Sequence, residues 1–324
     1  MKKSILCVLF FFPFILHSQK LSKEAQDYKD LVMKYANDYL TPLQIDILEN
    51  NYCGPECYIR YVGGKHVPWN KVITDTEVLD FIGSIVHEST HHFNHEDMYV
   101  VSETEAIYIM GTPIFKSKLI VKDMVKTNEK VVDMFRFDNY VNTDRSMSSS
   151  VDGIYGLMNE YCAYYNGALT SLILYEVFKE KSSEDTEEEE MLRDIERELA
   201  MCAMSSSTAF YQFNAFIGAY LIYAKENRNG IYKKILDNAS LVKAYSIVTD
   251  NFSDVVMKIH KYFPDHNFKR EWRYDDGGSV SSTWGSNESL LLSQEIFNDY
   301  VDILNNFSTS EKLLNPTNLT LTKD

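Results

Sequence analysis

The sequence predicts a mainly helical α+β protein, and three observations carry that prediction. Glycine and proline are scarce, 13 and 7 in 324 residues, too few for the many turns of a sandwich or barrel. Apolar residues make up 45% and aromatics 13%, which is ample for a packed core and argues against disorder over most of the chain. Helical apolar spacing dominates, with one β-branched and aromatic interruption at about 98–142. The net charge of −15 leaves no basic footprint, which argues against nucleic acid as a partner. The length accommodates one large domain, read here as 19–308 with a polar tail at 309–324.

The elements follow in order. Residues 1–18, MKKSILCVLFFFPFILHS, place Lys2 and Lys3 before an apolar run from Ser4 to Ile15, with the small residue Ser18 as the expected cut site. The run is shorter than the about 20 residues a spanning helix needs, and the pattern is that of a signal peptide. The expected location is therefore secreted or periplasmic, with no stable membrane span once the leader is removed. Export changes how the cysteines read. Beyond Cys7 stand Cys53, Cys57, Cys162 and Cys202. Cys53-Gly54-Pro55-Glu56-Cys57 is a tight turn that its own bridge can close. A zinc pair is the rival reading, though no second pair lies nearby at ligand spacing. Cys162 and Cys202 sit in apolar helical surroundings and read as buried thiols.

Residues 20–50 show helical spacing, with Tyr28, Val32, Tyr35, Ala36 and Tyr39 on one side. Residues 51–70 read as a loop with a short hairpin, one strand being Tyr58 to Val62. Thr74 followed by Glu77 fits a capping box that starts a helix running to about His95. Met98 to Met110 and Met134 to Val141 have the composition of strands. A polar loop at 143–150 precedes helix from Val151 to about Lys181. The acidic stretch KSSEDTEEEE is a solvated linker entering the next helix start. Helices continue to Glu226 and from about Tyr232 to Tyr262. Residues 264–287 read as a long loop, and a last helix spans about Asn287 to Phe307.

The chemistry-bearing motif is His87-Glu88-Ser89-Thr90-His91, an HExxH pentad. On a helix, residues four apart share a face, so both imidazoles reach one ion. Neutral imidazoles suit zinc, and a catalytic site keeps a position for water. Glu88, beside the first histidine, is placed to act as general base on that water. Gly83 and Ser84, one turn earlier, are small enough to admit a neighbouring helix.

Downstream, Gly156-Leu157-Met158-Asn159-Glu160-Tyr161-Cys162-Ala163-Tyr164 resembles the second helix of the gluzincins, the thermolysin-like zinc metallopeptidases. In that family an Asn-Glu pair supplies a carboxylate ligand. The resemblance covers two helices and the span between them. It implies one zinc ion per chain, with His87, His91 and Glu160 as ligands and Glu88 as general base. The chain departs from the family in a longer gap between His91 and Glu160. It also places Tyr164 where many members have an acidic partner for a zinc histidine, a role its hydroxyl can fill by hydrogen bond.

Two other schemes stay open on the residues alone. His91-His92-Phe93-Asn94-His95-Glu96-Asp97 can be laid on the metzincin extension, with Asp97 as third ligand. Glu103 or Glu105 can also serve. Tyr155, Tyr161, Tyr164 and Tyr165 are candidates to steady an oxyanion, and a strand edge within 98–142 can receive an extended peptide. The expected function is hydrolysis of peptide bonds in a peptide or protein substrate, through zinc-activated water. The rival is a non-catalytic secreted binding protein that keeps a structural zinc.

Overall fold

The computed structural model describes residues 23–54, 75–94, 98–109, 123–124, 129–142, 152–182, 189–263, 270–273, 279–282 and 287–309. The leader, Cys57, the Tyr58 to Val62 strand, Asp97 and most of the tail lie outside the described residues.

The described chain is mostly helical with small antiparallel β pairs. The single helix expected over 20–50 is two, α1 (Lys23–Tyr39) and α2 (Pro42–Asn51). Thr41 sets the break. Its hydroxyl accepts from the Gln44 N–H, the Gln44 side chain accepts from the Thr41 N–H, and Pro42 occupies the first turn of α2. A proline there cannot continue the preceding helix but suits a new one. Helix α3 (Asp75–Asn94) carries the pentad. Strands β1 (Met98–Val100) and β2 (Ala106–Tyr108) pair antiparallel, Met98 opposite Tyr108.

The β-rich span expected at 98–142 is confined, among the described residues, to that one pair. Met134 to Val141 is not a strand. A 3-10 turn at Glu129–Asp133 leads into the short helix α4 (Phe137–Tyr140). Val131, Met134, Phe137 and Val141 are all buried, and their spacing of three and four is the helical period. Core packing had made the composition look strand-like.

Helices α5 (Ile154–Ser182), α6 (Glu189–Asn227), α7 (Asn229–Leu236) and α8 (Ala239–Tyr262) follow. The loop expected at 264–287 contains a second antiparallel pair, β3 (Arg270–Arg273) with β4 (Ser279–Ser282). The last expected helix is again two, α9 (Asn287–Asn298) and α10 (Val301–Phe307). No described helix is long and apolar enough to cross a membrane.

Helix α5 is the axis of the fold. Its residues from Ile154 to Ala163 are all buried, and it packs against α3 on one side and α6 on another. A helix buried all round has apolar residues on every face rather than a stripe. Its first half joins a large cluster with α6, α8, α9 and α10, while Leu174, Tyr175 and Phe178 join a smaller one with α1 and α3. Two of its buried polar residues tie it to its own turn and to α2. Asn166 donates to the Cys162 carbonyl at 2.8 Å, and Gln44 from α2 donates to Thr170 Oγ1 at 2.8 Å.

Helices α3 and α5 run antiparallel and unusually close. A Cβ on Gly83 would lie 2.5 Å from Ser171 Oγ and 3.2 Å from the Gly167 carbonyl oxygen. A Cβ on Gly167 would lie 2.9 Å from the Gly83 carbonyl oxygen and 3.4 Å from His87 Cβ. The two backbones touch because each helix places a glycine at the crossing.

Candidate metal centre

The crossing lies one turn from the pentad. Moving along α3 away from Gly83, His87 comes opposite Ala163 and Gly167, and His91 comes opposite Asn159 and Glu160. Ser89 and Thr90, the variable positions of the pentad, face inward and are fully buried. Thr90 Oγ1 donates to the Val86 carbonyl at 2.7 Å. Ser89 Oγ accepts from the Cys53 N–H at 3.0 Å, which ties the cysteine-bearing turn to α3. With 89 and 90 turned into the core, 87, 88 and 91 are left to line the site.

His87, His91 and Glu160 converge, each with one ligand atom within 4.8 Å of the others. The two Nε2 atoms are 3.1 Å apart. Glu160 Oε2 is 3.2 Å from His91 Nε2 and 3.8 Å from His87 Nε2. Glu160 is buried, 3% exposed, and its Oε2 has no hydrogen-bond partner. The cluster can hold a metal ion.

The hydrogen bonds around it assign the tautomers. Asn159 Oδ1 accepts from Asn94 Nδ2 at 2.9 Å and faces His91 Nδ1 at 2.9 Å. His91 Nδ1 therefore carries a proton, and Nε2 holds a lone pair whenever the ring is neutral. The His87 ring bonds to the Ala163 backbone, and its Nε2 likewise turns to the cluster. Burial holds His87 well below the usual histidine range, helped by the positive charges of His91 and Arg136 and opposed by the Ala163 bond. Burial acts on His91 in the same direction, but the Glu160 carboxylate overrides it and carries His91 up to about 9.

These facts have one cause. Two imidazole lone pairs and a carboxylate oxygen are held together in a dry place, and they repel unless a cation sits among them. A proton on His91 is the smallest such cation, and a metal ion must displace it. Below about pH 9 His91 is protonated and competes with metal, so affinity should rise by about tenfold per pH unit and level off above it. Calorimetry in buffers of different ionisation enthalpy should show close to one proton released per metal bound near pH 8. Uptake with no proton release would contradict this arrangement.

Glu88 stands at the rim. Its Oε1 is 4.0 Å from His87 Nε2 and its side chain is 30% exposed. Burial raises its pKa, His91 opposes this, and the Glu160 charge adds to it. It is outside the ligand cluster and open to solvent, a placement that suits proton transfer rather than coordination.

Of the alternative ligands, Glu105 is paired with Lys243 at 2.9 Å and Glu103 is exposed. Neither joins the cluster. Tyr164 does not hydrogen-bond to a site histidine. Its ring packs edge-on against His87, with centroids 4.5 Å apart, and its hydroxyl pairs with Tyr140 at 2.7 Å. His91 finds its partner in Asn159 instead. Tyr155, Tyr161 and Tyr165 are core residues. Tyr161 bonds to Asn214, Tyr155 packs on Tyr99 and Tyr165 on Phe252. Three residues of the site carried no assigned role in the sequence reading: Asn159, Tyr140 and Arg136. Asn159 had a local signal, its position next to Glu160. Tyr140 and Arg136 reach the site only through the tertiary fold. Compared with protein-family models, curated proteins and solved structures, the chain matches none.

Proposed function

We propose that this chain is an exported zinc-dependent peptidase, with Glu88 as the general base. The observation that carries the reading is the pairing of a buried three-donor cluster with a carboxylate beside it but not in it. Zinc fits the donor set: two neutral imidazoles and one carboxylate are its usual catalytic ligands, and bonds of about 2.0–2.1 Å give tetrahedral edges of roughly 3.3 Å. The three donor separations, 3.1, 3.2 and 3.8 Å, bracket that edge.

When bound, zinc supplies Lewis acidity, polarising a substrate carbonyl and acidifying water. The chain supplies the rest. Asn159 and Ala163 keep both Nε2 lone pairs turned to one point. Glu88 takes the proton of the attacking water on its carboxylate. It then delivers that proton to the amine nitrogen as the C–N bond breaks. Tyr140, kept neutral chiefly by burial and further by Tyr164 and the Glu160 charge, shares one hydrogen bond with Tyr164, which leaves the pair one hydroxyl hydrogen to offer toward a substrate oxygen. Export is supported by the leader sequence and by Cys53, which is disulfide-bonded to a partner outside the described residues. Disulfides persist in oxidising compartments. Cys162 and Cys202 are thiols.

Purified mature protein should contain about one zinc per chain by elemental analysis. Hydrolysis of casein or a peptide library should vanish with a chelator and return with zinc. No zinc after reconstitution would sink the reading. Zinc without any hydrolysis would point instead to a secreted binding protein with a structural ion.

A further inference from the structure

Arg136 is the most deeply buried charge near the site, 1% exposed, in the segment between the two metal-bearing helices. Among the described residues no carboxylate pairs with it. Its Nη1 donates to Thr208 Oγ1 at 2.8 Å and to Gln212 Oε1 at 3.1 Å, and its Nη2 donates to the Ser205 carbonyl at 3.0 Å. All three acceptors are on α6. Its Nε is buried with no partner. A guanidinium buried without an anion is costly, and an apolar side chain would fill the same space without that cost.

What the guanidinium does here is hold a ring. Its Cζ lies 4.8 Å from the centroid of Tyr164. Tyr164 in turn stands against the His87 ring, at 4.5 Å and 76°. Phe213 closes a further side of Tyr164 at 5.2 Å, and Tyr140 fixes its hydroxyl at 2.7 Å. The sequence of contacts is therefore α6, Arg136, Tyr164, His87. A planar fork with several donors can grip a helix and stack on an aromatic at once, and a lysine cannot do both.

We propose that Arg136 is a positioning residue of the metal centre: through Tyr164 it fixes the ring of His87 so that Nε2 meets His91 and Glu160. This rests on reading the cluster as a metal centre. The hydrogen bond to Ala163 holds one edge of the His87 ring but leaves it free to tilt about that bond. Tyr164, backed by Arg136, removes that freedom. The role given to an acidic hydrogen-bond partner in the sequence reading is thus divided between a backbone carbonyl and a cation-backed ring.

The test uses Co(II) as the probe, added to metal-free full-length mature protein. Its readouts are the dissociation constant, the visible absorption band, and thermal unfolding of the metal-free form. Arg136→Met and Tyr164→Leu should each weaken Co(II) binding by roughly 10–100-fold, the usual scale for partners behind a ligand, and should alter the band. Tyr164→Phe, which keeps the ring, should bind within about threefold of wild type. Arg136→Lys, which keeps the cation over the ring but not the fork, should fall between wild type and Arg136→Met. Should Arg136→Met fail to fold, the Tyr164→Phe and Tyr164→Leu pair decides. Unchanged affinity and band in a folded Arg136→Met or Tyr164→Leu would overturn the proposal. So would equal losses in Tyr164→Phe and Tyr164→Leu. Wild-type protein that takes up no Co(II) would overturn the metal centre itself, a result distinct from uptake that the variants leave intact.

Discussion

Glu88→Gln is expected to leave metal content near one ion per chain while hydrolysis falls by two to four orders of magnitude, about the worth of a general base. The substitution keeps the shape and removes only the ability to hold a proton. The position of Glu88 makes the separation clean. Its carboxylate is at the rim of the cluster, 4.0 Å from His87 Nε2 and partly open to solvent, so the amide should not disturb His87, His91 or Glu160. The measurement is zinc by elemental analysis alongside kcat on a peptide substrate. Loss of the metal together with activity would make Glu88 a ligand and remove it from the role of base.

The second large effect is expected from Glu160→Ala. It removes one of three donors and should weaken metal binding by more than 100-fold, beyond what loss of an outer partner produces. Asp97→Ala should leave affinity almost unchanged. The two variants together separate a ligand from the second helix from one that follows the pentad. Without Glu160 the strongest of the forces that hold a proton on His91 is gone, leaving Glu88 and Asn159 against burial, so the His91 pKa should fall and the metal-free variant should keep its fold. Titration against a chromophoric chelator reads the affinities, and thermal unfolding of the metal-free forms checks the fold. Strong binding by Glu160→Ala with weak binding by Asp97→Ala would reverse the assignment.

The parts of this architecture legible in the sequence are those written in short spacings. Two histidines four apart must share a helix face, and Glu160 stands in a stretch too apolar for a solvated carboxylate. Gly83 and Ser84 announced a close approach by a neighbouring helix, and at Gly83 the backbones of α3 and α5 do touch. What the sequence hid was of two kinds. Some signals were local but outvoted. Thr41-Pro42-Leu43-Gln44 is a capping box, yet apolar spacing on both sides of it reads as one helix. Val131, Met134, Phe137 and Val141 keep helical spacing, yet their residue types are those of strands. Other features have no local signal at all. Nothing near Arg136 in the chain says that its side chain reaches Thr208 and Gln212, and Tyr140 meets Tyr164 only because α4 is folded onto α5.

The glycine crossing has a consequence for recognising distant relatives. The histidines and Glu160 can be present in any helical protein by accident, but they meet only if two backbones can touch one turn away. Gly83 precedes His87 by one turn, and Gly167 follows Glu160 by two. Either position, changed to a bulky residue, would force the helices apart, since a Cβ at 167 already meets backbone at 2.9 Å. A search pattern that joins the two glycines to the pentad and the Asn-Glu pair would therefore select for geometry rather than for composition. A homologue that kept His87, His91 and Glu160 but carried a large side chain at either glycine should be scored as a chain in which the three donors no longer converge.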